Sequence, residues 1–211
     1  DTMVGKGIWD SHENLDLIRS EYPTAFTEDS RVEAEGINLE SVLSGRSRAK
    51  SRKGTLVFRD PVNSLEHLAF SIRKKWFGGY EAAVHVLDVS SYVPKDSPLD
   101  ADAADRMGSL NLPDQSFPLY PIPLDLMAFQ PGEKRPALTL VWQLDKELNP
   151  GSLSVRATTV TAKSLISTAE TEAVIQGGNH SYSATVIRLK RFANCLGRTR
   201  LVNSGTSFHR V

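Results

Sequence analysis

The amino-acid sequence predicts an α/β fold, in which a twisted mixed β-sheet is flanked by helices. Three observations support this prediction: short segments with strand-like alternation fill the middle of the chain, Gly78-Gly79 joins two of them as a tight turn would, and helical spacing marks both ends. The 211 residues, 40% of them hydrophobic, suffice for one globular domain. We predict a single domain over residues 1–211, divided into a helical lead-in and basic loop (1–53), a sheet core with proline-rich loops (54–166) and C-terminal helices (167–211).

The lead-in contains two helical patterns and a basic segment. Residues 10–19 place apolar side chains behind a cap at Asp10 or Ser11, and residues 28–43 repeat helical spacing although Gly36 interrupts it. Residues 45–53 then read GRSRAKSRK, with five basic side chains and no apolar partner. Such a run is either a solvated loop or a patch that contacts phosphate groups, and the sequence leaves both interpretations open.

The sheet core begins with the strand TLVFRDP, which ends at Pro61. A hairpin follows, because Gly78 and Gly79 supply the positive φ angles of a tight turn between LAFSIRKKW and AAVHVLDVSSYV. Alternation along the second strand makes His85 look exposed. Residues 94–136 are proline-rich loop with one helix over 99–107, and the strands ALTLVWQLD and SLSVRATTVTAKSLIS complete the core.

Two helices are predicted at the C-terminal end. The first, TAETEAVIQ, ends at Gly177-Gly178, and the second, YSATVIRLKRFANCLGRTRLV, separates an apolar face from a basic one. A basic helix face is more typical of a solvated surface than of a nucleic-acid contact, and both interpretations remain open. Among the tryptophans Trp9, Trp76 and Trp142, which are expected to anchor a core or an interface, Trp76 beside Lys74 and Lys75 is the candidate for base stacking.

Composition limits the classes of function. The 25 basic and 25 acidic side chains cancel, so any nucleic-acid site must be local. Cys195 is the only cysteine, which excludes an internal disulfide partner and fits a reducing compartment. No apolar run approaches the roughly 20 residues of a membrane helix. We expect an intracellular location, either the cytoplasm or an organelle matrix such as that of mitochondria.

Several motifs, in a fixed order, resemble one known family. These are FRDP at 58–61, VHVLDVSSYV at 84–93, SPLDADAADRMGSLNLP at 97–113 and RLKRFANCLGRTRLVNSG at 188–205. They are similar to motifs of the RNase II, or RNB, catalytic domain, whose members are processive 3′-to-5′ exoribonucleases. The resemblance implies that the chain folds as the front half of an RNB domain.

The resemblance also implies where a metal site would lie. The family's loop begins with Asp-Pro and supplies four aspartates to two Mg²⁺ ions, whereas here only Asp60 matches. Alignment without a gap places Glu66 at the second position and Leu68 and Ala69 at the last two, and a shift by one residue places His67 and Leu68 there. We expect no metal or cofactor, with Mg²⁺ only if the family's activity survives. The family's base-stacking aromatic falls at Asn111.

The resemblance predicts a catalytically inactive RNB-like component that acts as an RNA-binding or structural subunit of a larger, ribonucleoprotein complex. The alternatives are a fragment of an active exoribonuclease and a protein interaction module without RNA contact. Half a domain would expose apolar faces that protein partners cover. Asp88, Gly78 and Gly79 are predicted to be structural, and Asp60 and Glu66 are remnants of the catalytic motif. The predicted RNA contacts are Arg46, Arg48, Lys50, Arg52, Lys53, Lys74, Lys75, Trp76, Arg188, Arg191 and Arg198.

Overall fold

The structure, a computed structural model, describes residue 6 and residues 14–45, 48–50, 54–59 and 66–204. Contacts divide the chain into two compact units: one contains residues 1–37 and 93–122, and the other contains residues 38–92 and 123–211. The predicted single domain over residues 1–211, with divisions at 53 and 166, stays a prediction. None of the described helices is long and apolar enough to cross a membrane.

The second unit is built on a seven-stranded sheet with the order β1-β8-β7-β4-β3-β2-β9. Its strands are β1 (Ala49–Lys50), β2 (Leu56–Arg59), β3 (Leu68–Lys74), β4 (Tyr80–Leu87), β7 (Lys134–Leu144), β8 (Pro150–Thr161) and β9 (Ser164–Ser167). The five central strands pair in antiparallel fashion, while β1 pairs with β8 and β9 pairs with β2 in parallel. The predicted mixed α/β sheet is confirmed.

The β3–β4 hairpin forms as the sequence predicts. Gly78 and Gly79 have φ angles of 91° and 68°, which residues with a Cβ rarely adopt. A Cβ on Gly79 would also collide with a backbone carbonyl of the neighbouring strand. The register places Lys74 opposite Tyr80 at the tip of the hairpin and Leu68 opposite Val86 at its other end.

Among the described residues, the sheet unit contains the α-helices α3 (Leu39–Ser44), α5 (Thr168–Ile175) and α6 (Ser183–Ser204), and a short 3₁₀ helix over Val89–Ser91. α5 begins with a capping box in which Ser167 and Glu170 exchange hydrogen bonds. α6 packs on one face of the sheet, where Phe192 joins a buried cluster with Ile72 and Ala82. The ring of Trp142 lies 5.6 Å from that of Phe192, so this tryptophan is a core anchor as expected.

The other unit contains α1 (Leu15–Arg19), α2 (Glu28–Glu35), α4 (Pro98–Arg106), β5 (Leu110–Asn111) and β6 (Ser116–Phe117). α4 matches the predicted helix of the proline-rich segment and ends at Met107, which is left-handed with φ of 58°. α2 contacts the first turn of α4, where the Glu33 carboxylate accepts the Leu99 N–H at 2.9 Å. The Arg106 guanidinium lies 3.8 Å from the centre of the Phe26 ring.

Several local predictions need correction. α1 begins behind Asn14, whose side chain accepts from the first turn, while Asp10 and Ser11 lie outside the described residues. The predicted helix over 28–43 is two helices, because Gly36 ends α2. The basic segment 45–53 is not loop throughout, since Ala49 and Lys50 form β1.

Candidate functional site

The segment that corresponds to the family's metal loop joins β2 to β3. These strands are antiparallel neighbours, with Val57 opposite Ala69, so the end of β2 and the start of β3 lie side by side at one end of the sheet. Residues 60–65, and with them Asp60, lie outside the described residues. The structure does show both flanks of the loop, Arg59 and Glu66.

Glu66 is held by an ion pair across the base of this loop. Its Oε1 accepts a hydrogen bond from Nε of Arg59 at 2.7 Å, and its carbonyl accepts the N–H of Phe129 at 2.7 Å. The Glu66 side chain is 22% exposed, which limits how freely it can reorient. A carboxylate already paired with a guanidinium offers less charge to a cation, so Glu66 is poorly suited to bind Mg²⁺.

The next positions of the loop are strand residues without oxygen ligands in their side chains. Leu68 begins β3, and Ala69 is fully buried between Val57 and His85. His67 is exposed, and its carbonyl accepts the N–H of Leu87 at 3.0 Å. Within the described part of the chain, no three His, Cys, Asp or Glu side chains are placed to hold a metal ion.

Asp88 forms a buried polar cluster immediately after β4. Its side chain is 2% exposed and accepts hydrogen bonds at 2.7 Å from Ser90, Ser91 and Nη2 of Arg48. Burial acts to raise the pKa of Asp88, but the hydrogen bonds from Ser91, Ser90 and Arg48, together with the Arg48 charge, outweigh it and hold the pKa below its usual value. This is the geometry of a structural carboxylate, which is the role predicted for Asp88.

Arg48, predicted as an RNA contact, points into the interior. Its side chain is 1% exposed, and Nη2 of its guanidinium donates to Asp88 and to the Ser91 hydroxyl, so in this position it is not presented to a phosphate. Lys50 of the same segment is exposed. The other three predicted contacts of this segment, Arg46, Arg52 and Lys53, lie outside the described residues.

The tip of the β3–β4 hairpin presents aromatic and basic side chains together. Trp76 is 94% exposed and Phe77 is 97% exposed. Lys74 is exposed beside them, while Nζ of Lys75 donates to the Gln143 side chain at 3.2 Å. Trp76 is therefore not a core anchor, and its whole ring is free to stack on a base or on a partner.

The basic face of α6 adjoins the hairpin tip. The Arg188 guanidinium lies 5.8 Å from the centre of the Tyr80 ring, and Tyr80 stands opposite Lys74 in the hairpin. We call these three residues, together with the exposed Trp76 and Phe77 of the hairpin turn, the tip surface. Arg191 and Arg198 are exposed further along α6.

The tip surface and Glu66, the described flank of the loop, lie beyond opposite ends of β3. β3 runs from Leu68 to Lys74, and a strand of this length spans about 20 Å. The structure therefore brings Lys74 and Arg188 together around Tyr80 and keeps them away from Glu66. Sequence analysis missed Phe77 and Tyr80, although two adjacent aromatic residues just before a Gly-Gly turn are a signal for exposed rings.

Comparisons with known proteins agree with the motif resemblance. The family model for the RNB domain matches residues 50–209. The chain is 25% identical over 197 residues to Ribonuclease R of Chlamydia trachomatis, a match that covers 88% of this chain and 28% of that protein. The chain thus spans less than a third of the length of this relative, and 10% and 15% of two nuclease relatives of Schizosaccharomyces pombe.

Two solved structures share the fold. RNase R of Mycoplasma genitalium, in complex with ribose methylated single-stranded RNA, superposes with a TM-score of 0.75 and 14% identity, covering 87% of this chain and 30% of that one. Yeast Ssd1, described as a pseudonuclease, superposes with a TM-score of 0.64 and 20% identity, covering 78% of this chain and 20% of that one.

Proposed function

We propose a function for this chain from one premise: it belongs to the RNB domain family. The proposed function is that of a catalytically inactive member, which binds single-stranded RNA as a component of a larger, ribonucleoprotein assembly. The observation that carries the loss of activity is the Arg59–Glu66 ion pair at the base of the loop, followed directly by Leu68 and Ala69 in β3.

The charge balance of the loop supports inactivity. Two Mg²⁺ ions bring four positive charges, and octahedral coordination requires several hard oxygen ligands. Asp60 and Glu66 are the carboxylates that the sequence offers at the family positions, and Arg59 already neutralises Glu66. The donor set therefore does not fit a pair of Mg²⁺ ions, and we propose no reaction step through them.

The tip surface supports RNA binding without cleavage. Exposed aromatic rings stack on bases of any sequence, and neighbouring cations attract the phosphate backbone. Trp76 and Phe77 supply the rings, and Lys74 and Arg188 supply the charge. Because Lys74 lies about 20 Å from the Glu66 flank of the loop along β3, a bound strand there would be held rather than positioned for hydrolysis.

An exposed apolar face supports a protein partner. Leu138 of β7 is 43% exposed, and Leu153 and Val155 of β8 are 50% and 62% exposed. Alternation in the sheet places these side chains on the same face as Trp142, next to the area that α6 covers. Contiguous apolar side chains on a sheet face are typical of surfaces that another chain covers, which fits a subunit of an assembly.

One experiment separates this proposal from its alternatives. End-labelled single-stranded RNA is incubated with the chain and Mg²⁺, and both RNA length and retention on a filter are measured. The proposal predicts retention that weakens with salt and no shortening. Magnesium-dependent shortening that Asp60→Ala abolishes would instead favour a piece of an active exoribonuclease, and absence of retention would favour a protein interaction module without RNA contact.

We also propose an intracellular location, in the cytoplasm or in an organelle matrix such as that of mitochondria. The single cysteine, Cys195, suits a reducing compartment and supports this proposal. Fluorescence microscopy of the tagged full-length protein tests it, and a secreted or cell-surface signal would contradict it.

A further inference from the structure

A polar pocket lies on the sheet face opposite to α6. Its volume is about 60 Å³, and it crosses strands β1, β8, β7, β4 and β3. Ser71 and Arg73, which line it, alternate along β3 with Ile72, whose side chain packs in the α6 cluster. The pocket is therefore separate from both the tip surface and the apolar face.

The floor of the pocket is a chain of buried hydrogen bonds. Nε2 of His85 lies 3.1 Å from the Ser71 hydroxyl, and Nδ1 lies 2.8 Å from the Thr139 hydroxyl. The Thr139 hydroxyl in turn lies 2.6 Å from that of Thr158. His85, Thr139 and Thr158 are each 3% exposed, so hydroxyl and imidazole groups that can donate are fixed at the base of an open pocket.

The rim of the pocket is positively charged. Lys50, Arg73 and Arg156 line it together with one carboxylate, Glu81, which leaves a formal charge of 3 − 1 = +2. Arg73 is paired with Glu81 at 2.9 Å. Lys50 and Arg156 are exposed and form no ion pair with any described residue, so their charge remains available to an anion.

Volume and charge together select the ligand. A pocket of about 60 Å³ has space for about four water molecules, which suits one tetrahedral oxyanion. Guanidinium and ammonium groups bind phosphate strongly, and buried hydroxyl groups add fixed donors. We propose that this pocket binds a phosphate group, with Arg156 and Lys50 contacting its oxygens above the Thr139–His85 floor.

The phosphate group could belong to an RNA strand or to a free phosphate or nucleotide, and the pocket chemistry is the same for each. Burial lowers the pKa of His85 to about 4, so the imidazole is neutral at pH 7 and its ring signals report changes in its surroundings without titrating. This inference does not depend on the proposed function, because inorganic phosphate alone tests it.

The test is a titration of the full chain with inorganic phosphate, followed through the His85 ring signals by NMR. We expect a saturable change in the His85 chemical shifts with a Kd of about 1 mM, which corresponds to a binding free energy of about 4 kcal/mol. Arg156→Gln should weaken binding at least about fivefold, as the loss of one charge-assisted contact does. Lys95→Gln removes an exposed cation of the other compact unit and should leave the Kd unchanged.

A second pair of variants tests the floor. Thr139→Val removes the hydroxyl at nearly constant volume and should weaken phosphate binding, whereas Thr139→Ser should retain it.

Displacement of phosphate by an oligoribonucleotide would identify RNA as the source, and failure to displace it would identify free phosphate or a nucleotide. A shift that never saturates, or an equal Kd in wild type and Arg156→Gln, overturns the inference whether or not RNA binds at the tip surface.

Discussion

Acid should destabilise this protein through one buried imidazole, that of His85. Both of its ring nitrogens have hydroxyl partners, and the side chain is 3% exposed. Burial lowers its pKa from 6.5 to about 4, because the charged form loses hydration without gaining a carboxylate partner. Between these two values the unfolded chain binds a proton that the folded chain does not.

The sign and size of the effect follow from that difference. Stability increases with pH wherever the unfolded state binds more protons, so it falls as pH decreases from about 6.5 to about 4. A difference of about 2.5 pKa units at 1.36 kcal/mol per unit corresponds to about 3 kcal/mol. This is a large share of the roughly 5–15 kcal/mol that stabilises a typical protein.

Urea unfolding at closely spaced pH values measures the free energy of unfolding directly. The contribution of His85 is the difference between wild type and His85→Gln in the slope of the free energy of unfolding against pH, because all other titratable groups are common to both. His67→Gln is the matched control, because it removes an imidazole that is exposed just before β3. Equal slopes for wild type and His85→Gln between pH 4 and 6.5 would show that burial does not lower the pKa of His85.

Three further predictions test other parts of the structure. Arg48→Met should destabilise the fold by about 3–5 kcal/mol in urea unfolding, because it leaves the Asp88 carboxylate buried without its cation. Unchanged stability together with weaker RNA binding would instead support Arg48 as an RNA contact. Trp76→Ala should weaken single-stranded RNA binding by about 1–3 kcal/mol at unchanged thermal stability. The control Leu124→Ala also truncates an exposed apolar side chain and should leave RNA binding unchanged. Equal filter-binding curves for wild type and Trp76→Ala would contradict stacking. Gly79→Ala should lower the melting temperature by several degrees, since it combines a positive φ with a backbone collision, and an unaltered melting curve would disprove that strain.

The sheet and its hairpin could be predicted because local chemistry determines them. The Gly78-Gly79 turn requires positive φ angles and fixes the register from Lys74 to Leu68, and alternation identifies the strands on either side. The C-terminal helices were likewise predictable, the first from the Gly177-Gly178 stop and the second from the separation of its apolar and basic faces. Parallel pairing of β1 and β9 at the sheet edges was not, because it joins segments that are distant in sequence and carries no local signal.

The roles of individual polar residues were harder to predict. His85 looked exposed from alternation, yet Ser71 and Thr139 satisfy both of its nitrogens and allow burial. Arg48 belongs to a basic segment whose composition predicts exposure, yet its side chain is buried because it pairs with the Asp88 carboxylate, 40 positions away. In both cases the partner lies on another strand or segment, so no pattern along the chain could reveal it.

We propose that the loop after β2 does not hold a pair of catalytic ions, and counting bound metal tests this proposal. The full chain is titrated with Mn²⁺, a paramagnetic stand-in for Mg²⁺, and bound ions are measured by electron paramagnetic resonance with Asp60→Ala as the reference. We predict that wild type and variant bind Mn²⁺ equally weakly, without the spectrum of two coupled ions. Two coupled Mn²⁺ ions per wild-type chain, absent from the variant, would contradict the account.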